Sequence, residues 1–281
     1  VDVGNAVVAV ATLLATASLG SGAKAQVGAD LNISPKRVAL GEGQRSATVY
    51  IFNQGDRPAT YTVEMIDRTM SENGSISAVA RSAAPAPRSA LPLVEYTPRV
   101  ITLQPKQSQS IRIRVRRPEK PGEYRSHLTV TAQPPEDVGL TAVQAAAGTN
   151  PSALAVRIVA LFSISIPVVV REGAIDSAAA IENPIVSGAA APGGTQRVSL
   201  DLVRRGTGSV YGDVEIYAGE GRSERRVGLV RGVAVYPEIQ RRSFVTPLTQ
   251  PVQPGERMRV VYRDDDVHPG TELARVLFVA S

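Results

Sequence analysis

The chain has 281 residues, 31 Lys+Arg against 26 Asp+Glu for a net charge of +5, no cysteine, no tryptophan and two histidines. Without cysteine, disulfide scaffolds, thiolate metal sites and cysteine nucleophiles are excluded, and two histidines cannot build a three-histidine zinc site. A chain of this length buries a core without covalent staples and, at roughly 100–150 residues per domain, provides for about two domains.

The first run, Ala6 to Leu19, reads AVVAVATLLATASL. It is shorter than the roughly 20 apolar residues of a membrane span, and it has the length of a signal-peptide core. Ala23-Lys24-Ala25 matches the small-x-small cleavage pattern, although Val1-Asp2-Val3 lacks the usual basic residues. Residues 1–25 are therefore expected to be a signal peptide, leaving an exported chain with no stable membrane insertion.

From Asn32 onward the pattern is β almost throughout. Ser46–Phe52, Ala59–Met65 and Ser110–Val115 alternate apolar and polar residues, the mark of half-buried strands. Turn signals separate them at Asn53-Gln54-Gly55-Asp56, Glu72-Asn73-Gly74, Gln104-Pro105-Lys106 and Pro118–Gly122. Short strands broken by frequent turns predict an all-β antiparallel sandwich. The stretch Val138 to Ala147 reads as a loop before Gly148 and Pro151.

The longest strand candidate is Leu154 to Val170, whose even positions are apolar without exception. That face is expected to pack on a core, while the odd face is apolar at Val159 and Leu161 and then turns polar. Common strands run to about 5–6 residues, so this one is long enough to offer an edge to another chain. Arg171-Glu172-Gly173 breaks the run, and an Ala/Ser/Pro/Gly-rich stretch follows to Gly194. The expected organisation is an N-terminal domain over 26–172 and a C-terminal β-sandwich over 173–281. The second unit takes its strands from Arg197–Val203, Asp213–Tyr217, Val227–Val235, Arg257–Tyr262 and Leu273–Val279.

Other constellations carry little chemistry. Arg112, Arg114 and Arg116 form a basic stripe that reads as a solvated sheet face, and with 4% aromatic residues no nucleic-acid partner is expected. Asp264-Asp265-Asp266 before His268-Pro269-Gly270 reads as a turn, lacking the spacing of a cation loop. No serine–histidine–aspartate signature is present. The expectation is a protein that is not an enzyme, with no catalytic residues, no metal and no cofactor.

Five pieces in order then resemble one family, the PapD-like periplasmic pilus chaperones. They are Ile33–Leu40, Ala47–Pro58 with its Asn-turn-Pro ending, Tyr96–Pro105 with its P-x-x-x-x-L-x-P element, Ile111–Val115, and Gly122-Glu-Tyr-Arg-Ser-His-Leu128 running on to Gln133-Pro134-Pro135. The resemblance covers about residues 30–171. It implies two immunoglobulin-like β-sandwich domains joined by a hinge, a periplasmic location, pilus or fimbrial subunits as partners, and an outer-membrane usher that receives them. It also implies donor-strand complementation, in which the long strand fills the groove of a subunit lacking its own last strand. The groove-binding segment is then Val156 to Phe162, with Val156, Ile158, Val159, Ala160, Leu161 and Phe162 as candidates and the inserted face left open.

The family's first-strand basic residue falls on Arg37, where the resemblance implies an interdomain cleft and an anchor for the subunit's C-terminal carboxylate. The family's second anchor, a lysine late in the long strand, falls on Ile166 and Pro167, and no lysine follows Lys120. Arg171 is the substitute anchor by this reading. The alternative is a structural or adhesive surface protein built of immunoglobulin-like domains.

Overall fold

A computed structural model of the chain describes residues 30–80, 88–134, 161–188 and 195–280. The first sandwich is built from β1 (Leu31–Ser34), β2 (Val38–Leu40), β3 (Ser46–Asn53), β4 (Ala59–Ile66), β5 (Arg68–Met70) and β6 (Ile76–Ala78). It continues through β7 (Val94–Thr97), β8 (Val100–Leu103), β9 (Ser108–Val115), β10 (Gly122–Ala132) and β11 (Ser163–Glu172). One sheet has the order β1-β3-β9-β7 and the facing sheet the order β2-β11-β10-β4-β8, with β5 and β6 forming a separate hairpin.

The alternation read in the sequence decides the packing. On β9, Ile111, Ile113 and Val115 are buried while Arg112 and Arg114 are exposed, so the basic stripe is the outer sheet face. Ile33, Val49, Ile51, Tyr61, Leu128, Val130, Ile166 and Val168 complete the core between the sheets. Each such side chain contributes about 1.5–3 kcal/mol by leaving water. Asn53 closes the β3–β4 turn from inside: its Nδ2 donates to the carbonyls of Arg57 (2.7 Å), Leu103 (3.3 Å) and Gln104 (3.3 Å), and its Oδ1 accepts from Gly55 N (3.1 Å).

The chain passes into a second sandwich after Gly173, whose φ of +74° suits a residue without a Cβ. Its strands are β12 (Ala179–Ser187), β13 (Arg197–Arg204), β14 (Val210–Ala218), β15 (Arg225–Val235), β16 (Arg241–Pro247), β17 (Arg257–Asp264) and β18 (Glu272–Val279). They form sheets of order β12-β13-β16 and β15-β14-β17-β18 around a core that includes Leu202, Val214, Ile216, Met258, Val260 and Tyr262. The architecture is all-β, two immunoglobulin-like sandwiches in succession.

Two of these strands lie outside the periodic runs of the sequence. On β12 a register shift between Glu182 and Ile185, with Asn183 at φ +52°, brings the odd-numbered Ile181 and the even-numbered Val186 to the same buried side. A bulge of this kind erases period two. On β16 the apolar Val245 is 60% exposed while Thr246 is buried, which inverts the expected code.

The long run also ends later than the sequence suggested: β11 continues through Arg171 and Glu172, which pair with Glu123 and Gly122 of β10. Its even residues Ile166, Val168 and Val170 face the core as expected, but its odd residues Val169 and Arg171 are buried too. The second sandwich covers that face. A further contact comes from the β5–β6 hairpin, where Met70 packs on Ala234 and Tyr236 and the carbonyl of Glu72 accepts from Ser243 N at 2.8 Å.

Candidate functional site

The chain switches sheets between β1 and β2, across Pro35–Arg37, and this crossing aims Arg37 at the second sandwich. Its Nη2 donates to Asp266 Oδ2 at 2.8 Å, and its guanidinium lies 4.7 Å from the Tyr211 ring centroid and 5.9 Å from that of Tyr236. Lys36, one residue earlier, is exposed and donates instead to Asn32 Oδ1 at 2.7 Å.

Arg171 reaches the same place from β11. Its Nε donates to Glu123 Oε2 at 2.9 Å, and its Nη2 donates to Asp266 Oδ2 at 2.7 Å and to Ser209 Oγ at 3.3 Å. Glu123 faces Arg171 across the β10–β11 ladder and also accepts from Ser209 N at 3.1 Å. That approach needs a bare Gly208, because a Cβ there would stand 2.2 Å from Ile175 Cγ2. Asp266 is held by a turn after β17 in which Asp264 accepts from Asp266 N (3.0 Å) and His268 N (2.6 Å).

The result is two guanidinium groups and two carboxylates in a buried junction between the sandwiches. Burial by itself would raise the Asp266 pKa, but Arg37 and Arg171 outweigh it and hold the carboxyl below its ordinary value. Burial by itself would lower the Arg171 pKa, but Glu123 and Asp266 outweigh it and raise it. Asp266 and Arg171 are therefore held in their charged forms, and the attraction and hydrogen bonds of the cluster offset the cost of desolvation only while every partner is present.

A second layer lies beside this cluster. Arg125 on β10 stacks 3.6 Å from the Tyr236 ring centroid, donates to the carbonyl of Arg68 at 2.9 Å, and pairs with Glu238. His127, two residues further, meets Tyr236 edge-on with centroids 6.5 Å apart. Its pKa is pushed down to about 3, first by burial and then by Arg125, Arg68 and Arg37, so it stays neutral. It packs as an aromatic ring.

The strand edge is the other half of the site. β10 covers one side of β11 along its whole length, whereas β2 pairs with the other side only at Val168–Val170. Phe162 directs its carbonyl to β10, where it accepts from Ala132 N at 2.9 Å. Backbone groups alternate along a ladder, so Ser163 and Ser165 turn their N–H and C=O outward, away from β10. Among the described residues no strand pairs with that stretch. Pro167, which has no N–H to offer, closes it.

The expected anchors Arg37 and Arg171 are thus brought together, on a carboxylate of their own chain. Ile166 is in the core and Pro167 is half-buried opposite His127, so the position of the family lysine carries no charge. Of the expected groove-binding residues, Leu161 is 58% exposed and Phe162 is half-buried; Val156, Ile158, Val159 and Ala160 lie outside the described residues. Sequence reasoning missed Glu123, Ser209, Tyr211 and Tyr236, and read Asp266 only as part of a turn. One signal was available: β10 puts Glu123, Arg125 and His127 on the face opposite its core side, and two charges and a histidine at alternate strand positions fit a covered, polar second face.

Among the described residues, no group of three or more His, Cys, Asp or Glu side chains is placed to hold a metal ion. Likewise, no helix there is long and apolar enough to cross a membrane.

No protein-family model matches the chain, and no curated protein matches it in sequence. Among solved structures it is similar to the YadV chaperone, at 14% identity and a TM-score of 0.44, over 89% of this chain and 100% of that one. It is similar to the E. coli chaperone DraB at 15% identity and a TM-score of 0.41, over 88% and 96% of the two chains. A third likeness is to the complex of the chaperone CsuC with the tip adhesion subunit CsuE from archaic Csu pili of Acinetobacter baumannii. There the identity is 11% and the TM-score 0.43, over 89% of this chain and 97% of that one.

Proposed function

We propose that this protein is a periplasmic chaperone for pilus or fimbrial subunits, without enzymatic activity, and that it captures them by lending a strand edge. The observation that carries this reading is the half-open side of β11, where, among the described residues, Ser163 and Ser165 have no pairing strand on the side away from β10 and Leu161 stands exposed just before them. A subunit strand added there gains main-chain hydrogen bonds, while alternate side chains of the 156–162 segment enter its groove. A few inserted Val, Leu or Ile side chains, at about 25 cal/mol per Å2 of apolar area, contribute several kcal/mol against the cost of association.

Arg37 and Arg171 take the part of carboxylate anchors in this reading, since an arginine fork matches a carboxylate with two parallel charge-assisted bonds. Residues 1–25 serve as the cleaved signal peptide, 26–172 as the strand-lending domain and 173–281 as its partner domain. Delivery to an outer-membrane usher completes the role.

Co-expression with a candidate subunit tests the proposal. The wild-type chain should give a stoichiometric complex, and a Val159→Asp, Leu161→Asp variant should lose it while keeping its fold. A complex that survives both substitutions would remove this segment from the donor role.

A further inference from the structure

The net charge of the chain is not spread evenly. The described residues up to 172 hold 15 Lys and Arg against 10 Asp and Glu, and those of the second sandwich hold 13 against 13. The excess therefore belongs to the first sandwich. Arg37, Arg125 and Arg171 are paired with acids in the junction, so they do not carry it at the surface.

The outer face of the sheet β1-β3-β9-β7 does. Arg112 and Arg114 of β9 are exposed there, and their guanidinium groups have no hydrogen bond or ion pair among the described residues. Arg116 continues the row just past β9. Glu95 is the one acidic residue in the four strands, and it meets Arg116 at 3.5 Å with the two side chains 65% and 71% exposed. A strand rises about 3.4 Å per residue, so the three arginines stand about 7 Å apart along one line. Thr48 and Thr97 flank Arg112 on the neighbouring strands, and Ser46 flanks Arg114. Tyr50, 48% exposed, lies on the same face.

Like charges in a row repel one another, and the fold supplies no acceptor for the first two. An external array of anions would remove that cost. A protein interface is built on an apolar core or an anchor seated in a pocket. This face is arginine and hydroxyl, with Tyr50 its one exposed large apolar side chain. A layer of lipid phosphates needs only spaced cations, hydroxyl donors and an amphipathic ring at headgroup level.

We propose that the outer face of β1-β3-β9-β7 docks the protein reversibly on an anionic phospholipid surface, with Arg112, Arg114 and Arg116 on the phosphates and Tyr50 among the headgroups. With so little apolar surface, attachment is peripheral. The inference stands on charge placement and is independent of strand lending. β11 belongs to the facing sheet, across the core, so its open side stays available while the protein rests on the membrane.

The test is co-sedimentation of the full chain with vesicles of equimolar phosphatidylglycerol and phosphatidylcholine, against vesicles of phosphatidylcholine alone. Wild type should bind the anionic vesicles only, and release them as salt shortens the Debye length from about 30 Å to about 8 Å. Arg112→Gln with Arg114→Gln should weaken binding about thirtyfold, at about 1 kcal/mol per arginine near an anionic surface. Arg222→Gln with Arg226→Gln removes two exposed charges from the second sandwich instead and should stay within about twofold of wild type. Equal weakening by the two pairs would reduce the effect to net charge and overturn the assignment to this face. Wild type that ignores the anionic vesicles, or binds both kinds alike, overturns the lipid partner and leaves the face to an acidic protein.

Discussion

The Arg125 guanidinium lies 3.6 Å from the centroid of the Tyr236 ring, joining the outer face of β10 to the residue that follows β15. Tyr236 also meets His127 edge-on, packs against Met70 and lies 5.9 Å from the Arg37 guanidinium, so one ring gathers four contacts from the first sandwich. A desolvated cation–π contact is worth about 2 kcal/mol. Truncation at Tyr236→Ala removes all of these together and should cost about 3–5 kcal/mol in denaturant unfolding. Tyr236→Phe keeps the ring and gives up only a 3.5 Å contact between its hydroxyl and Arg37. It should stay within about 1 kcal/mol of wild type. Equal losses in the two variants would place the stabilisation in the hydroxyl.

Glu123→Gln tests the charged cluster as a domain clamp. The substitution leaves Arg37 and Arg171 sharing only Asp266, an uncompensated buried charge that costs about 3–5 kcal/mol. Small-angle scattering should show a wider spread of domain orientations than in wild type. Unaltered scattering and stability would mean that the hairpin contact at Met70 and Glu72 suffices to set the geometry.

His127 gives the protein a signature in acid. Its folded-state pKa, about 3, lies below the ordinary 6.5, so the unfolded chain binds the extra proton between these values. Stability is therefore complete above pH 6.5 and falls as the pH drops towards 3, by up to about 1.4 kcal/mol per pH unit. Asp266, also depressed, contributes in the same direction but only below its ordinary 3.8. Unfolding free energies of His127→Phe should lose most of the slope between pH 6.5 and 5, and an unchanged slope would assign it to other groups.

Asn53→Ala should destabilise the first sandwich by about 2–3 kcal/mol, because the carbonyl of Leu103 loses a buried donor and the turn its internal ties. Chemical denaturation checks this. A loss under about 0.5 kcal/mol would mean that water replaces the amide, as at an exposed turn.

The strands of the first sandwich were legible because alternation is a local code: Ile111, Ile113 and Val115 point inward whatever lies elsewhere in the chain. The same code passed over β12, where the bulge at Glu182–Ile185 breaks the period, and β16, whose exposed Val245 inverts it. At the cleft, Arg37 and Arg171 were reached through the resemblance. Their partners Glu123 and Asp266 were not, since a carboxylate in a strand or a turn reads as solvated until a second domain covers it.

The sequence by itself determined an all-β protein of two sandwiches and a cysteine-free chemistry, because composition and period are properties of short stretches. Only the tertiary structure decided that Arg37 meets Asp266 across 229 positions and that both arginines are already occupied. Ion pairing in a buried junction depends on which surfaces dock and exclude water, and no spacing along the chain encodes that distance.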